Sequence, residues 1–364
     1  ILKKYDPETF YWPASPSSGG CFDDPSDPNR GDVHYWEVWH GNKPFSEYRK
    51  YFFRYASEFG FQSFPSVKTL ETVTDDAKEL NPFSYVMEKH QRNYGGNGKI
   101  AKYMQAAYRY PENFSDFVYA SQLLQADGIR YGVEHYRRNR GRCMGAIYWQ
   151  LNDCWPVISW SSIDYYGRWK ALHYYAKRFF APVMLSCEEQ SWMTVEADMN
   201  RQHFEFEKSI RLNVTNETLD AHRVLVKWAV RKTDATILRE EEQWLEVPVL
   251  SAVWMDKVEL PQIDCFNEYV SYEAWENDQI ISQGTVIFSY PKYFHYLNPG
   301  LAVRVDGDEI VVRAEAYAKS VEIRNENDDL ILEDNYFDMN AGEYRVKILD
   351  GKPDGLKVRS VYDI

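Results

Sequence analysis

Hydrophobic and polar positions fall into two textures along the chain, and the change comes near Pro182. Before it, short apolar runs alternate with stretches of helical spacing. Residues 32–40, DVHYWEVWH, read as a strand leaving into a loop at Gly41. Residues 44–53 predict a helix with Pro44 in its first turn, where a missing N–H costs nothing. Residues 56–61 predict the next strand. Asn81 and Pro82 together predict a capped helix start, with the helix running to residue 92. Further helices are expected over 99–108, over 115–138 and over 168–180. The second of these carries Phe117, Leu123, Leu124, Ile129 and Val133, and Pro182 stops the third. Residues 144–149, MGAIYW, predict a buried strand. Strands alternating with helices imply a parallel sheet. No glycine-rich phosphate loop follows any of them, so a nucleotide-binding fold is not expected.

After Pro182 the period becomes two. Residues 210–214, 224–230, 280–288, 310–314, 321–323 and 344–348 alternate apolar with polar. Short strands with frequent turns predict antiparallel sandwiches. A break at Tyr290-Pro291-Lys292 divides them. The expected domains are therefore residues 1–183, 184–291 and 292–364, with α/β first and all-β after.

Composition narrows the function classes. Hydrophobic residues make up 44% and charged ones 27% of the 364, as in globular proteins. No run of about 18 apolar residues marks a membrane span. Net charge is −13 and uneven: residues 1–183 hold 23 Lys/Arg against 20 Asp/Glu, residues 184–364 hold 19 against 35. There is no basic stripe, so nucleic acid is not expected as a partner. The five cysteines (Cys21, Cys143, Cys154, Cys187, Cys265) are odd in number, widely spaced and free of CxxC pairs. That spacing predicts neither a disulfide framework nor a zinc site and favours a reducing, cytoplasmic setting. The start, ILKKYDP, has no initiator Met and no signal-like segment, and it reads like the middle of a longer protein. Of 59 aromatics, 39 lie in residues 1–183. Such a density suits a sugar-binding cleft, where a ring face packs on a pyranose. It also suits an aromatic-rich core.

Against that background one carboxylate stands out. Glu58 sits in RYASEFGFQSFPS, at the end of an expected strand and before Phe59-Gly60. A charge among aromatics must pair, neutralise or work. At the C-terminal end of a strand in a (β/α) barrel it would suit a retaining glycosidase nucleophile. A plain ion pair with Arg54 would explain it equally well. Trp149, at the end of the 144–149 run, could floor a sugar subsite or fill a core. Asn152, Asp153 and Trp160 lie on the loop that follows, and Asp153 reads as a loop cap. The acidic DDPSDP stretch at 23–28 lacks the spacing of a calcium loop. His34 and His40 have no third ligand at a clear spacing, so no metal or other cofactor is expected.

SEFGFQSFPS together with YWQLNDCWPVISWSSIDYYGRWKALHYYAKRFFAP closely resembles the β-mannosidases of glycoside hydrolase family 2. YWPASPSSG and GDVHYWEVWHG fit the same pattern, and DNYFDMNAGEYRVKI extends it more loosely into the sandwich region. The resemblance implies the C-terminal half of a catalytic (β/α)8 TIM barrel over 1–183, followed by two immunoglobulin-like β-sandwich modules. It implies Glu58 as nucleophile and Trp149 as a mannose-subsite aromatic. It also implies that His34, Tyr35 or Trp36 orients the nucleophile and contacts the sugar. The WQLND form favours mannose over glucosamine. The substrate would be a terminal β-mannoside or manno-oligosaccharide, with retention of configuration. The family's acid/base is the Glu of an Asn-Glu pair. Here such pairs occur at 216–217, 267–268 and 325–326, all in the sandwich region. The acid/base and the N-terminal portion of the enzyme are thus expected to be missing partners, and this chain alone is expected to be inactive. A non-catalytic sugar-binding or scaffold remnant and a related family 2 exo-glycosidase are the alternatives.

Overall fold

Two short strands and a third extended run lie side by side, all parallel, in the first half of the chain. In the computed structural model, which describes residues 1–20, 23–195 and 205–364, β1 (Val33–His34) pairs with β2 (Ala56–Glu58). Val33 faces Ala56, and His34 faces Glu58. Cys21, noted above, lies outside the described residues. On the far side of β2 runs 144–149, bridged in parallel from Ala146 to Ala56. The N–H groups of Met144, Ile147 and Trp149 donate to Arg54, Ala56 and Phe59 carbonyls at 2.8 Å. Around these runs lie α1 (Leu2–Tyr5), α2 (Val67–Leu70), α3 (Tyr85–Lys89), α4 (Gly96–Ala107), α5 (Phe114–Arg138) and α6 (Ala171–Phe179). Helices α2 to α5 fill the connection from β2 to the 144–149 run, as parallel neighbours require.

Several expected elements come out shorter. The strand over 32–40 stops at His34. Tyr35, Val38 and Trp39 are all buried, and their spacing is helical, so the chain turns and His40 N–H donates to the Trp36 carbonyl at 2.7 Å. The 144–149 run is bridged rather than laddered and is not buried: Met144, Ile147 and Trp149 are 50%, 52% and 44% exposed. The helix expected over 44–53 is a 3-10 turn, Phe45–Lys50. The one over 81–92 shrinks to α3, where Ser84 Oγ accepts the Met87 N–H at 3.2 Å. Helix α5 begins where its cap says it should: Asn113 Oδ1 accepts the Asp116 N–H at 3.0 Å. It is buried along almost its whole length. Gly132 admits Phe59 here, since a Cβ would sit 3.0 Å from the ring.

The second texture gives two sandwiches. In the first, β3 (Val183–Gln190), β4 (Ser209–Asn216) and β7 (Ser251–Trp254) form one sheet, with β8 (Val258–Glu259) paired to β4. β5 (His222–Lys232), β6 (Ile237–Val247), β9 (Glu268–Glu276) and β10 (Gln279–Ile287) form the other, in the order β10-β9-β5-β6. Leu185, Ile210, Leu212 and Val214 meet Val224, Val226, Trp228 and Val270 between them. In the second, β11 (Ala302–Asp306), β12 (Glu309–Ala314), β14 (Ile331–Leu332) and β16 (Gly342–Asp350) pack over β13 (Ala318–Arg324), β15 (Phe337–Met339) and β17 (Lys357–Arg359). Its core of Ile310, Val312, Val321, Ile323 and Val346 runs on without a gap into that of the first half. Tyr119 of α5 donates to the Ser320 carbonyl at 2.6 Å across this junction. Among the described residues no helix is long and apolar enough to cross a membrane.

Candidate active site

The parallel register that sets His34 beside Glu58 puts both side chains on one face. Trp36 reaches the same carboxylate. Its indole N–H donates to Glu58 Oε1 at 3.0 Å, while His34 Nδ1 lies 3.5 Å from Oε2. The His34 and Glu58 side chains are each 23% exposed, partly open to solvent as a reacting group must be. Arg54 is not among the described partners of Glu58, so the ion pair that would have made this carboxylate merely structural is not formed.

Behind His34 lies a second carboxylate that the sequence did not announce. Asp32 Oδ2 accepts from Ser15 Oγ and from Ser57 Oγ, both at 2.5 Å. Its Oδ1 accepts from Ser17 N–H at 2.8 Å and from Trp12 Nε1 at 3.1 Å. Burial would raise its pKa, but those four donors outweigh burial and hold it below the usual carboxylate range. Ser15 Oγ also lies 3.0 Å from His34 Nε2. With its proton given to Asp32, the Ser15 hydroxyl is left to accept from His34 Nε2–H. Asp32 is thus tied to His34 through Ser15, and it is too well solvated by donors to serve as an acid. Asp32 and its partners Trp12, Ser15, Ser17 and Ser57 all fall within the stretches GDVHYWEVWHG, YWPASPSSG and SEFGFQSFPS, but nothing in those stretches singles the carboxylate out.

The tryptophans gather around Gly60. A Cβ there would lie 2.5 Å from the Trp149 carbonyl oxygen, 3.0 Å from Trp36 and 3.1 Å from Trp160. Trp36 and Trp160 meet edge to face at 6.0 Å. Trp149 is anchored by its main chain beside Phe59, with its side chain open to solvent. Tyr35 goes the other way. It is buried, with its ring 4.9 Å from Tyr51 and 5.2 Å from Phe53, so it buttresses the strand and only its N–H touches Glu58, through the carbonyl at 2.8 Å. Of the five candidates the structure therefore brings His34 and Trp36 to the Glu58 carboxylate, sets the Trp149 main chain beside Phe59 and Gly60, and turns the Tyr35 ring away. Asp153 clasps its own loop, accepting from Ser159 and Ser161 at 2.7 and 2.6 Å. Burial and the Lys99 charge push His40 down. Among the described residues no group of three His, Cys, Asp or Glu could hold a metal ion.

A family profile described as "Mannosidase Ig/CBM-like domain" matches residues 208–293, and one described as "Ig-fold domain" matches residues 296–364. Beta-mannosidase B of Aspergillus terreus is 28% identical over 371 aligned positions, covering 96% of this chain and 43% of that protein. Beta-mannosidase B of Aspergillus niger is 35% identical over 203 positions, 54% of this chain and 24% of that protein. The crystal structure of Beta-D-Mannosidase from Dictyoglomus thermophilum superposes with a TM-score of 0.84 at 27% identity, covering 99% of this chain and 43% of that one. The exo-chitosanase CsxA of Amycolatopsis orientalis shares the fold at a TM-score of 0.59 and 17% identity. The chain spans less than half the length of the relatives it matches from end to end. Over nearly its whole length the chain is similar to β-mannosidases, and both sandwich modules match Ig-type domain profiles, one of them a mannosidase profile.

Proposed function

We propose that this chain carries the nucleophile of a retaining exo-β-mannosidase, and that Glu58 is that nucleophile. On this reading residues 1–183 are the C-terminal half of a (β/α)8 barrel, with sandwiches over 184–291 and 292–364. The observation that carries it is the setting of Glu58: a carboxylate partly open to solvent at the end of a parallel strand, held by Trp36 and flanked by His34.

In the first step a Glu58 oxygen attacks the anomeric carbon of a terminal β-mannoside. A glycosyl ester forms and the aglycone oxygen leaves with a proton from a carboxylic acid. In the second, water attacks the anomeric carbon of that ester, the same acid, now a base, takes its proton, the Glu58 carboxylate leaves, and mannose is released with its configuration retained. The Trp36 N–H holds Oε1, and Oε2, beside His34, is the oxygen that attacks. Trp149 offers an indole face to the sugar. Two such carboxyl groups stand about 5–5.5 Å apart. Asp32, joined to His34 through Ser15, is saturated by donors. As the family resemblance implies, we assign the acid to the N-terminal portion of the same enzyme.

The test is release of nitrophenol from an aryl β-mannoside by the complete protein and by this chain, each with Glu58→Ala. Activity in the complete protein that is lost in the variant, with none from this chain, is the expected result. Turnover unchanged by Glu58→Ala overturns it. Faster turnover of an aryl β-glucosaminide or β-galactoside overturns the mannoside assignment alone.

A further inference from the structure

The outer face of the β10-β9-β5-β6 sheet carries a second feature that hydrolysis at Glu58 does not use. Trp244 on β6 stands opposite Leu225 on β5, Leu225 opposite Trp275 on β9, and Trp275 opposite Ile280 on β10. Val224 and Val226, the neighbours of Leu225, point into the core, so the whole row points out. Trp244 is 53% exposed and Ile280 43%. Leu225 and Trp275 between them are half-buried, so the row is open at both ends and partly covered in the middle. Further along the same face the sheet is covered. Tyr269 stacks on Tyr317 at 3.8 Å, and Gln283 donates to Tyr344 at 3.2 Å, both from the second sandwich. The open part is therefore a platform with a wall along one side.

We propose that this platform binds an extended, neutral, β-linked glycan, independently of the site around Glu58. Trp244 and Trp275 lie two strand steps apart, about 10 Å. That spacing matches the disaccharide repeat of an extended β-1,4-linked chain, whose alternate rings show the same apolar face. Flanking the row are paired charges: Arg223 with Glu246 at 3.3 Å and Lys227 with Glu242 at 3.6 Å. Glu273 Oε2 accepts the Trp275 indole N–H at 2.8 Å. Each pair offers donors and acceptors to sugar hydroxyls. The Arg223 and Lys227 heads lie 4.5 and 5.3 Å over the Trp244 and Trp275 rings. Their side chains are 65% and 44% exposed, free to swing aside to the rim. The excess of acidic residues in this half repels uronic or sulfated chains, which leaves neutral ones. The row is flat and open at both ends, so it grips the middle of a chain, whereas an exo-acting site takes an end.

The test is retardation of the whole 364-residue chain in native gels cast with soluble glucomannan, with dextran as the α-linked control. Wild type and Glu58→Ala are expected to be retarded equally by glucomannan and not by dextran. Trp244→Ala with Trp275→Ala is expected to weaken binding roughly tenfold or more. An unchanged thermal midpoint would show that the sandwich is intact, and Trp244→Ala alone, at the exposed edge, serves if the double variant unfolds. No retardation of wild type overturns the proposal, as does equal retardation of the tryptophan variants. Loss in Trp149→Ala with retention in the platform variants also overturns it, by assigning binding to the Glu58 site.

Discussion

The indole N–H of Trp36 donates to the Glu58 carboxylate at 3.0 Å, across 22 residues of sequence and from a turn that the hydrophobic pattern presents as strand. The turn is what makes the contact. Trp36 follows β1, and the burial of Tyr35, Val38 and Trp39 swings the chain there, away from a straight ladder.

Trp36→Phe keeps the ring and removes the donor. A hydrogen bond to a charged group contributes about 1.5–3 kcal/mol. In the complete enzyme kcat/KM for an aryl β-mannoside is expected to fall roughly 10- to 100-fold. The midpoint of thermal unfolding should stay nearly constant. A change in stability with unchanged kinetics would count against the role.

Gly60→Ala is expected to be costly despite its small size. Its Cβ would press on the Trp149 carbonyl oxygen at 2.5 Å, a backbone atom that cannot swing away. The loss of stability should be about 1–3 kcal/mol, read from denaturant unfolding, with quenched or shifted tryptophan emission.

Arg49 and Glu189 tie the first half to the first sandwich. Arg49 Nη2 lies 2.7 Å from Glu189 Oε2, and Tyr131 donates to the other oxygen. Their side chains are 12% and 4% exposed. Arg49→Met alone strands a buried carboxylate and should cost about 3–5 kcal/mol, whereas adding Glu189→Met should recover most of it. Burial would raise the Glu189 pKa, and the Arg49 charge and Tyr131 overcome that and lower it. The stability this group contributes is therefore full above the ordinary glutamate range. It is lost as pH falls through the depressed value. The acid limb of a stability profile should flatten in the double variant.

Lys170 gives the opposite limb. It is fully buried, with Ser63 and Ser159 carbonyls at 3.3 and 3.4 Å. Burial pushes its pKa down to about 8, against the pull of Asp153 and Asp164. Between about 8 and the ordinary 10.5 the unfolded chain holds a proton that the folded one has released. The Lys170 contribution to stability must therefore rise with pH across that window. Subtracting the profile of Lys170→Met from that of the wild type should isolate the rise, and a flat difference would refute it.

Glu58 was legible because a carboxylate among Tyr55, Phe59 and Phe61 breaks the local pattern. Helix α5 was legible from its cap at Asn113 and its apolar spacing, and the sandwiches from strict alternation, as in Ile210–Val214. Less of the first half could be read. In residues 32–40 two periods overlap, and the helical one, Tyr35-Val38-Trp39, wins once the core closes over it. Residues 144–149 look buried by composition but stand at an open edge. Asp32 could not be picked out, because its partners Ser15, Ser17 and Ser57 are small, common residues that acquire meaning only in space. The row from Trp244 to Ile280 was hidden for the same reason: it runs across strands, at right angles to the direction in which a sequence is read.

The unbroken core shared by the first half and the second sandwich makes the last seventy or so residues a wall of the α/β body rather than an appendage. Cutting the chain near Tyr290 would not liberate two molecules. It would peel the backing from α5 and α6 and leave Tyr119 and Tyr174 facing water. Such a chain should melt there as one cooperative block, and any trimming meant to shrink it would have to begin elsewhere.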